Sequence, residues 1–236
     1  LVGDALDAVQ LTQPWTETDA VSEQFKQIAK LINASETLQT DRAAFIASYG
    51  SFDTHSDNHA NMAEKLTWMD NGLRSFVNEM KAQGRWEDVI VLTVSEFGRT
   101  ISSNGLGTDH GWGGNHVVLG GSVKGGKIVG HYPHDLSDSA PLNTGRGRLI
   151  PTTPWEAAWA PIAEWFGVHP HNIDSVLPNL RNFDPAQHLI PTDQIIHMAD
   201  PSPSPPPAPP RPPAPPTPPP PPPPPSPRPD PPPPPP

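Results

Sequence analysis

Two short runs of this chain carry the side chains best suited to chemistry. The first is Phe52-Asp53-Thr54-His55-Ser56-Asp57-Asn58-His59, which alternates carboxylates with imidazoles. The second is Ser95-Glu96-Phe97-Gly98-Arg99-Thr100, followed by Asp109, His110 and His116. Carboxylates and imidazoles together suit a divalent cation such as zinc, which takes nitrogen and oxygen donors in near-tetrahedral sites. Each residue also has a plain structural use, and Asp57 or Asn58 would serve as a helix N-cap. A nucleophile is harder to find. Thr54, Ser56, Ser95 and Thr108 all fall in these polar runs, but none lies in a G-x-S-x-G elbow. The sequence contains no phosphate-binding P-loop, and its Gly120-Gly121 and Gly125-Gly126 pairs read as turns.

Both runs follow apolar segments that would hold them. Ala43–Tyr49 reads as a buried strand ending at the first run. Val89–Val94 is a continuous apolar run, the pattern of a central strand in a parallel sheet, and it ends at the second. Ligands in open α/β sheets gather at such carboxyl ends. Between the two strands, Met62, Leu66, Met69, Leu73, Phe76 and Met80 alternate by four and three, predicting a long helix that Gly84 ends. An earlier helix is predicted from Thr16, with Asp19 completing a capping box and Val21, Phe25, Ile28 and Ile32 on one face. Residues 104–114 read as a glycine-rich loop, Val117–Leu119 as a short strand, and Gly120–Tyr132 as a turn and another short strand. A last helix is predicted with Thr153 as N-cap, Pro154 at its first position, Trp155, Trp159, Ile162 and Phe166 facing the core, and Gly167 as its stop. Alternating strands and helices predict an α/β sandwich with a mainly parallel sheet. The expected organisation is one α/β domain over 1–190, a linker over 191–200 and a proline-rich tail over 201–236.

Composition narrows the partners. A net charge of −10 disfavours nucleic acid and anionic membrane surfaces. No run approaches the roughly 18 apolar residues of a membrane span. With no cysteine, disulfides and thiol chemistry are excluded. The chain starts at Leu1, within ordinary sequence, which reads as a processed or partial product.

The runs FDTHSDN (Phe52–Asn58), TVSEFGRT (Thr93–Thr100), NGLGTDHG (Asn104–Gly111), VLGGSVKGG (Val118–Gly126) and PTTPWEAAWAPIAEWFGV (Pro151–Val168) resemble the bacterial domain-of-unknown-function family 1501. VLPNLRNF (Val176–Phe183) is similar to that family's C-terminal ending, so the resemblance spans roughly residues 20 to 184. It implies kinship with the alkaline phosphatase and sulfatase superfamily, whose members carry two metals at the ends of a parallel sheet. On that resemblance Asp53 and His55 look like an acidic-and-histidine ligand pair, with Asp57 or His59 able to share the part, and His110 resembles the last metal-binding histidine. Glu96 stands where the superfamily has an aspartate, whereas Phe97 replaces a ligand and cannot bind metal. The candidate ligand set is therefore Asp53, His55, Glu96, Asp109 and His110. The superfamily's nucleophile and first metal aspartate lie on earlier strands, so this chain looks like the C-terminal half of the complete domain, a partial alkaline-phosphatase-like sandwich.

The tail resembles a different class. Of its 36 residues, 27 are proline. Proline lacks an N–H and has a fixed φ, which leaves polyproline II as the cheap ordered form. At about 3.1 Å per residue the tail would reach roughly 110 Å. Its Ser-Pro runs are similar to plant and algal hydroxyproline-rich cell-wall glycoproteins (extensin-like), which implies hydroxylation and O-glycosylation at Pro203, Pro205, Pro206, Pro207 and Pro227. Asn33-Ala34-Ser35 is an N-glycosylation sequon. Both features point to secretion and to an extracellular wall, surface or matrix.

The leading expectation is a structural subunit of a glycosylated extracellular filament, self-associating through the rigid tail, with glycans as partners. The alternative is a wall-anchored, metal-dependent hydrolase of phosphate or sulfate esters. The tail as ligand for an SH3 or WW module is a weaker third reading, because poly-proline satisfies P-x-x-P trivially.

Overall fold

The computed structural model describes residues 2–198, and the expected tail modification sites Pro203, Pro205, Pro206, Pro207 and Pro227 lie outside them. In chain order the elements are α1 (Val2–Ala8), α2 (Ala20–Asn33), α3 (Ser35–Leu38), α4 (Asn58–Ala82), β1 (Ile90–Leu92), β2 (Gly98–Ser103), β3 (Thr108–Gly111), β4 (Val118–Gly120), α5 (Glu156–Trp165), α6 (Ile173–Val176), α7 (Pro185–His188) and α8 (Thr192–Ile195). The fold is mixed α/β.

The core sits between α2 and α4. Val21, Phe25 and Ala29 recur every four residues on α2 and bury against Phe76 and Met80 of α4. The Phe25 and Phe76 rings lie 5.6 Å apart, tilted by 33°. Close approach of the helices depends on Gly72, where a Cβ would stand 2.5 Å from Ser22 Oγ. Helix α2 starts later than the Thr16 capping box predicts. Asp19 is itself the N-cap, its Oδ1 accepting from the Val21 and Ser22 N–H groups, while the Ser22 hydroxyl donates to Oδ2 at 2.6 Å. Glu79 is fully buried. Its carboxylate accepts from the Thr12 and Gln13 N–H groups at 3.0 and 2.7 Å and from Gln83 Nε2 at 2.8 Å. One buried acid thereby pins the N-terminal segment to α4.

Strand structure departs from expectation. The described residues form two separate two-stranded sheets, β1 with β4 and β2 with β3, and both are antiparallel. The expected parallel sheet is not among them. Strand β1 is only half-buried, and Val94 just past it is 58% exposed, so the apolar run lacks the cover on both faces that a central parallel strand has. Ala43–Tyr49 is not a strand. It runs without a ladder partner, and the Gln24 side chain substitutes for one, accepting from Ser48 N–H and donating to Ser48 O, both at 2.8 Å. The glycine-rich stretch expected as loop instead folds into the β2–β3 hairpin.

Helix α5 begins two residues later than a Thr153 cap requires and buries only Ala157 and Pro161. Trp155 and Trp159, expected in the core, are about two-fifths exposed. Residues 191–198, read from sequence as linker, include α8 and bury Ile195 and Ile196. Ile196 bridges to Val123, and His197 N–H donates to Ser122 O at 2.7 Å. Asn33 is exposed at the last position of α2. No described helix is long and apolar enough to cross a membrane.

Candidate metal centre

The loop entering α4 and the β2–β3 hairpin build the site. In the hairpin Gly98 pairs with Gly111 and Arg99 with His110. The turn is made by Asn104, whose Oδ1 accepts from the Leu106 and Gly107 N–H groups. Arg99 then ties the loop to the sheet, donating to Thr108 O at 2.8 Å and to Phe52 O. Asn58, oriented with its amide oxygen toward Thr108, accepts from that residue's N–H and donates to Thr54 Oγ1. These contacts bring residues more than fifty positions apart onto one surface.

Asp53, His55 and His110 each present a donor atom there, and the three atoms lie within 4.8 Å of one another. His110 Nε2 stands 2.6 Å from Asp53 Oδ1, and His55 Nε2 stands 3.2 Å from the same oxygen. Zinc ligands at about 2.0–2.1 Å in a tetrahedron are roughly 3.3 Å apart. The His55–Asp53 spacing already matches, and the His110–Asp53 contact must open by about 0.7 Å. The donor set fits a divalent cation of zinc type with one position left for water, as in catalytic sites. Asp53 and His55 are more than half exposed, so the centre is open to solvent.

Asp109 sits behind this trio, not in it. Its Oδ1 faces His55 Nδ1 at 3.4 Å and accepts from Asn104 Nδ2 at 2.9 Å, while Arg146 Nη2 donates to Oδ2 at 2.7 Å. A carboxylate on the far nitrogen of a ligating histidine fixes its tautomer and ring direction. Hydrogen bonding from His110 holds the Asp53 carboxyl below the usual carboxylate range, with the nearby imidazoles contributing. The Asn104 amide, then His55 and the Arg146 charge, lower that of Asp109 in the same way. Both acids are therefore ionised at neutral pH.

Phe97 packs against the cluster. Its ring lies 3.9 Å from that of His110 and within 5° of parallel, and the Arg99 guanidinium sits over its face at 5.1 Å. His110 also stacks on His55 at 5.0 Å. Phe97 thus holds the His110 ring in place. Glu96, a predicted ligand, is not part of the cluster and lines a groove with Trp155 and Trp159. His116 packs on Trp155 at 4.3 Å, and His59 lies exposed in the first turn of α4. Asp57 takes the N-cap position of α4 in a left-handed conformation without a side-chain cap bond.

Arg146 and Asn104 carry no metal-site signal in the sequence. The nearest cue is Gly145-Arg146-Gly147, where all three residues have positive φ. At Gly147 a Cβ would meet Ser102 N at 2.4 Å, so glycine is required for the turn that delivers the guanidinium.

Residues 3–144 match the family described as Protein of unknown function (DUF1501). The chain belongs to the DUF1501 family. The DUF1501 match includes Asp53, His55, Asp109 and His110 and begins well before Phe52, where the first resembling run starts. It ends before Pro151–Val168, so α5 and the tail lie beyond the matched residues. Comparison with the curated proteins and with the solved structures finds no match.

Proposed function

We propose that this DUF1501 chain contributes a divalent-metal centre for hydrolysis of phosphate or sulfate esters, held at an extracellular surface by its proline-rich tail. The observation carrying the reading is the convergence of Asp53, His55 and His110 with Asp109 behind His55. The resemblance to the alkaline phosphatase and sulfatase superfamily supports the same chemistry. A bound cation would supply a Lewis acid and a water acidified toward neutrality. The chain's own residues do the rest. Asp53 offers an ionised oxygen donor, Asp109 keeps His55 Nε2 turned to the site, and Phe97 fixes the His110 ring. Arg146 adds a cation beside Asp109, at the edge where an anionic ester would approach.

The test is zinc content by mass spectrometry of the purified chain, with turnover of 4-nitrophenyl phosphate and 4-nitrophenyl sulfate. Near-stoichiometric zinc and ester cleavage lost on chelation support the proposal. A chain that takes up no zinc, cobalt or manganese refutes it.

A second reading is favoured by one observation, the 27 prolines in the last 36 residues. In it the tail is a glycosylated assembly arm of an extracellular filament. Mass increments of hydroxylation and sugars on the tail would support this reading, and an unmodified secreted tail would sink it.

A further inference from the structure

We infer that the open groove beside α5 is a docking site for a proline-rich segment, and that its occupant is the Pro201–Pro236 stretch of a second copy of this chain. The inference deepens the assembly reading and shares no residue with the metal cluster. The groove measures about 310 Å³ and is lined by Val94, Ser95, Glu96, Trp155 and Trp159. Two tryptophans four residues apart, each about two-fifths exposed, and a 58% exposed valine give the groove its apolar lining. Aromatic-lined grooves bind polyproline II segments because the ligand is already extended and loses little entropy on docking. Proline rings pack between the indole faces, and the bare carbonyls take donors from indole N–H or hydroxyl groups.

Charge selects the segment. Glu96 is exposed at one edge of the groove. The tail offers Arg211 within Ala208-Pro-Pro-Arg-Pro-Pro-Ala-Pro-Pro-Thr-Pro-Pro219, and Arg228 further on, each bracketed by proline. A prolines-plus-arginine ligand against a tryptophans-plus-carboxylate groove is complementary in both shape and sign. Stretch 208–219 also avoids the Ser-Pro positions proposed to carry sugars. Proline-rich chain is stiff over several residues, which favours delivery to another copy over a tight return. A groove and a ligand that lie on different copies make a head-to-tail contact, which propagates into open assemblies.

The experiment titrates the full chain with a synthetic peptide of residues 208–219 by calorimetry and follows self-association of the full chain by sedimentation velocity. The peptide is expected to bind and to dissociate associated copies. Trp155→Ala and Trp159→Ala are each expected to weaken binding at least about tenfold. Glu96→Lys, at an exposed position that folding tolerates, is expected to weaken it up to about fivefold, and a peptide carrying Arg211→Glu is expected to bind that variant better than it binds the unaltered chain. Lack of peptide binding, or binding indifferent to all three variants, overturns the inference. So does association that survives saturating peptide, because the globular part of another copy is then the occupant. Sugar analysis of the tail is independent of these readouts, so a failed groove and a failed assembly reading are distinguishable.

Discussion

Replacing Asp109 separates a metal ligand from the support of a ligand. Asp109 is held by three partners, His55 Nδ1, Asn104 Nδ2 and Arg146 Nη2, and only the first reaches the metal cluster. Asp109→Ala leaves all three donor atoms in place but frees the His55 ring. Loss of such a supporting carboxylate costs about 10–100-fold in metal affinity, or about 1.4–2.7 kcal/mol. Because the site is open to water, the lower half of that range is expected. Asp53→Ala instead removes a donor. With about 10–16 kcal/mol shared by four ligands in a structural zinc site, one ligand carries roughly 2.5–4 kcal/mol, or about 10²–10³ in affinity. Asp109→Asn retains an oxygen for His55 Nδ1 and is expected to lose less than about tenfold. Zinc titration by calorimetry at neutral pH, with circular dichroism to verify folding, measures all three. Equal loss in Asp109→Ala and Asp53→Ala would show Asp109 to be a ligand. Unchanged affinity in Asp53→Ala would remove the centre altogether.

Two further predictions concern the scaffold. Glu79→Ala removes the carboxylate acceptor of the Thr12 and Gln13 N–H groups, bonds worth about 1.5 kcal/mol each at these exposed residues. The expected loss is about 3 kcal/mol, a fall of roughly 6–12 °C in Tm, and a melt within about 2 °C of the parent, the smallest shift that 1 kcal/mol produces, would contradict the clasp. At Asp19, burial raises the carboxyl pKa, but the bonds from the Ser22 hydroxyl and the Ser22 and Val21 N–H groups outweigh it and the net shift is downward. A depressed folded-state pKa means that the cap contributes above the unfolded value of about 3.9 and is lost as pH falls through the folded one. Asp19→Ala is therefore expected to cost about 1 kcal/mol at neutral pH and to show a flatter stability profile below about pH 4; denaturant titrations at several pH values measure both.

The helical half of this fold is legible because its signals are local. The four-and-three spacing from Met62 to Met80 and the stop at Gly84 give α4, whose C-cap is Gln83 with Gly84 following at φ 69°. Periodicity does not say how much of a helix is covered. Leu66 and Trp68 face outward on α4, just as Trp155 and Trp159 do on α5. Strands fail differently. Ala43–Tyr49 and Val89–Val94 both have strand composition, but a strand exists only where another supplies its ladder, and only the second finds one, as β1 against β4. The hairpin was carried by a weaker cue, Asn104-Gly105, a turn pair flanked by β-compatible residues.

The same distinction governs the centre. Residue chemistry picks out Asp53, His55, Asp109 and His110, yet their roles depend on hairpin register. Arg99 is paired with His110, and the ladder shifts between Arg99 and Ser103. Side chains alternate across a strand, so a slip by one residue would turn His110 to the opposite face and break the trio. Gly111 helps to hold the register, since a Cβ there would stand 2.7 Å from the Arg99 backbone. Phe97 adds to this: its ring, stacked on His110, stiffens the one histidine that the hairpin must deliver. Glu96, its neighbour before β2, lines the tryptophan groove instead, together with Val94 and Ser95. The irregular segment between β1 and β2 thus serves two surfaces, with Val94–Glu96 on the groove and Phe97 on the His110 ring.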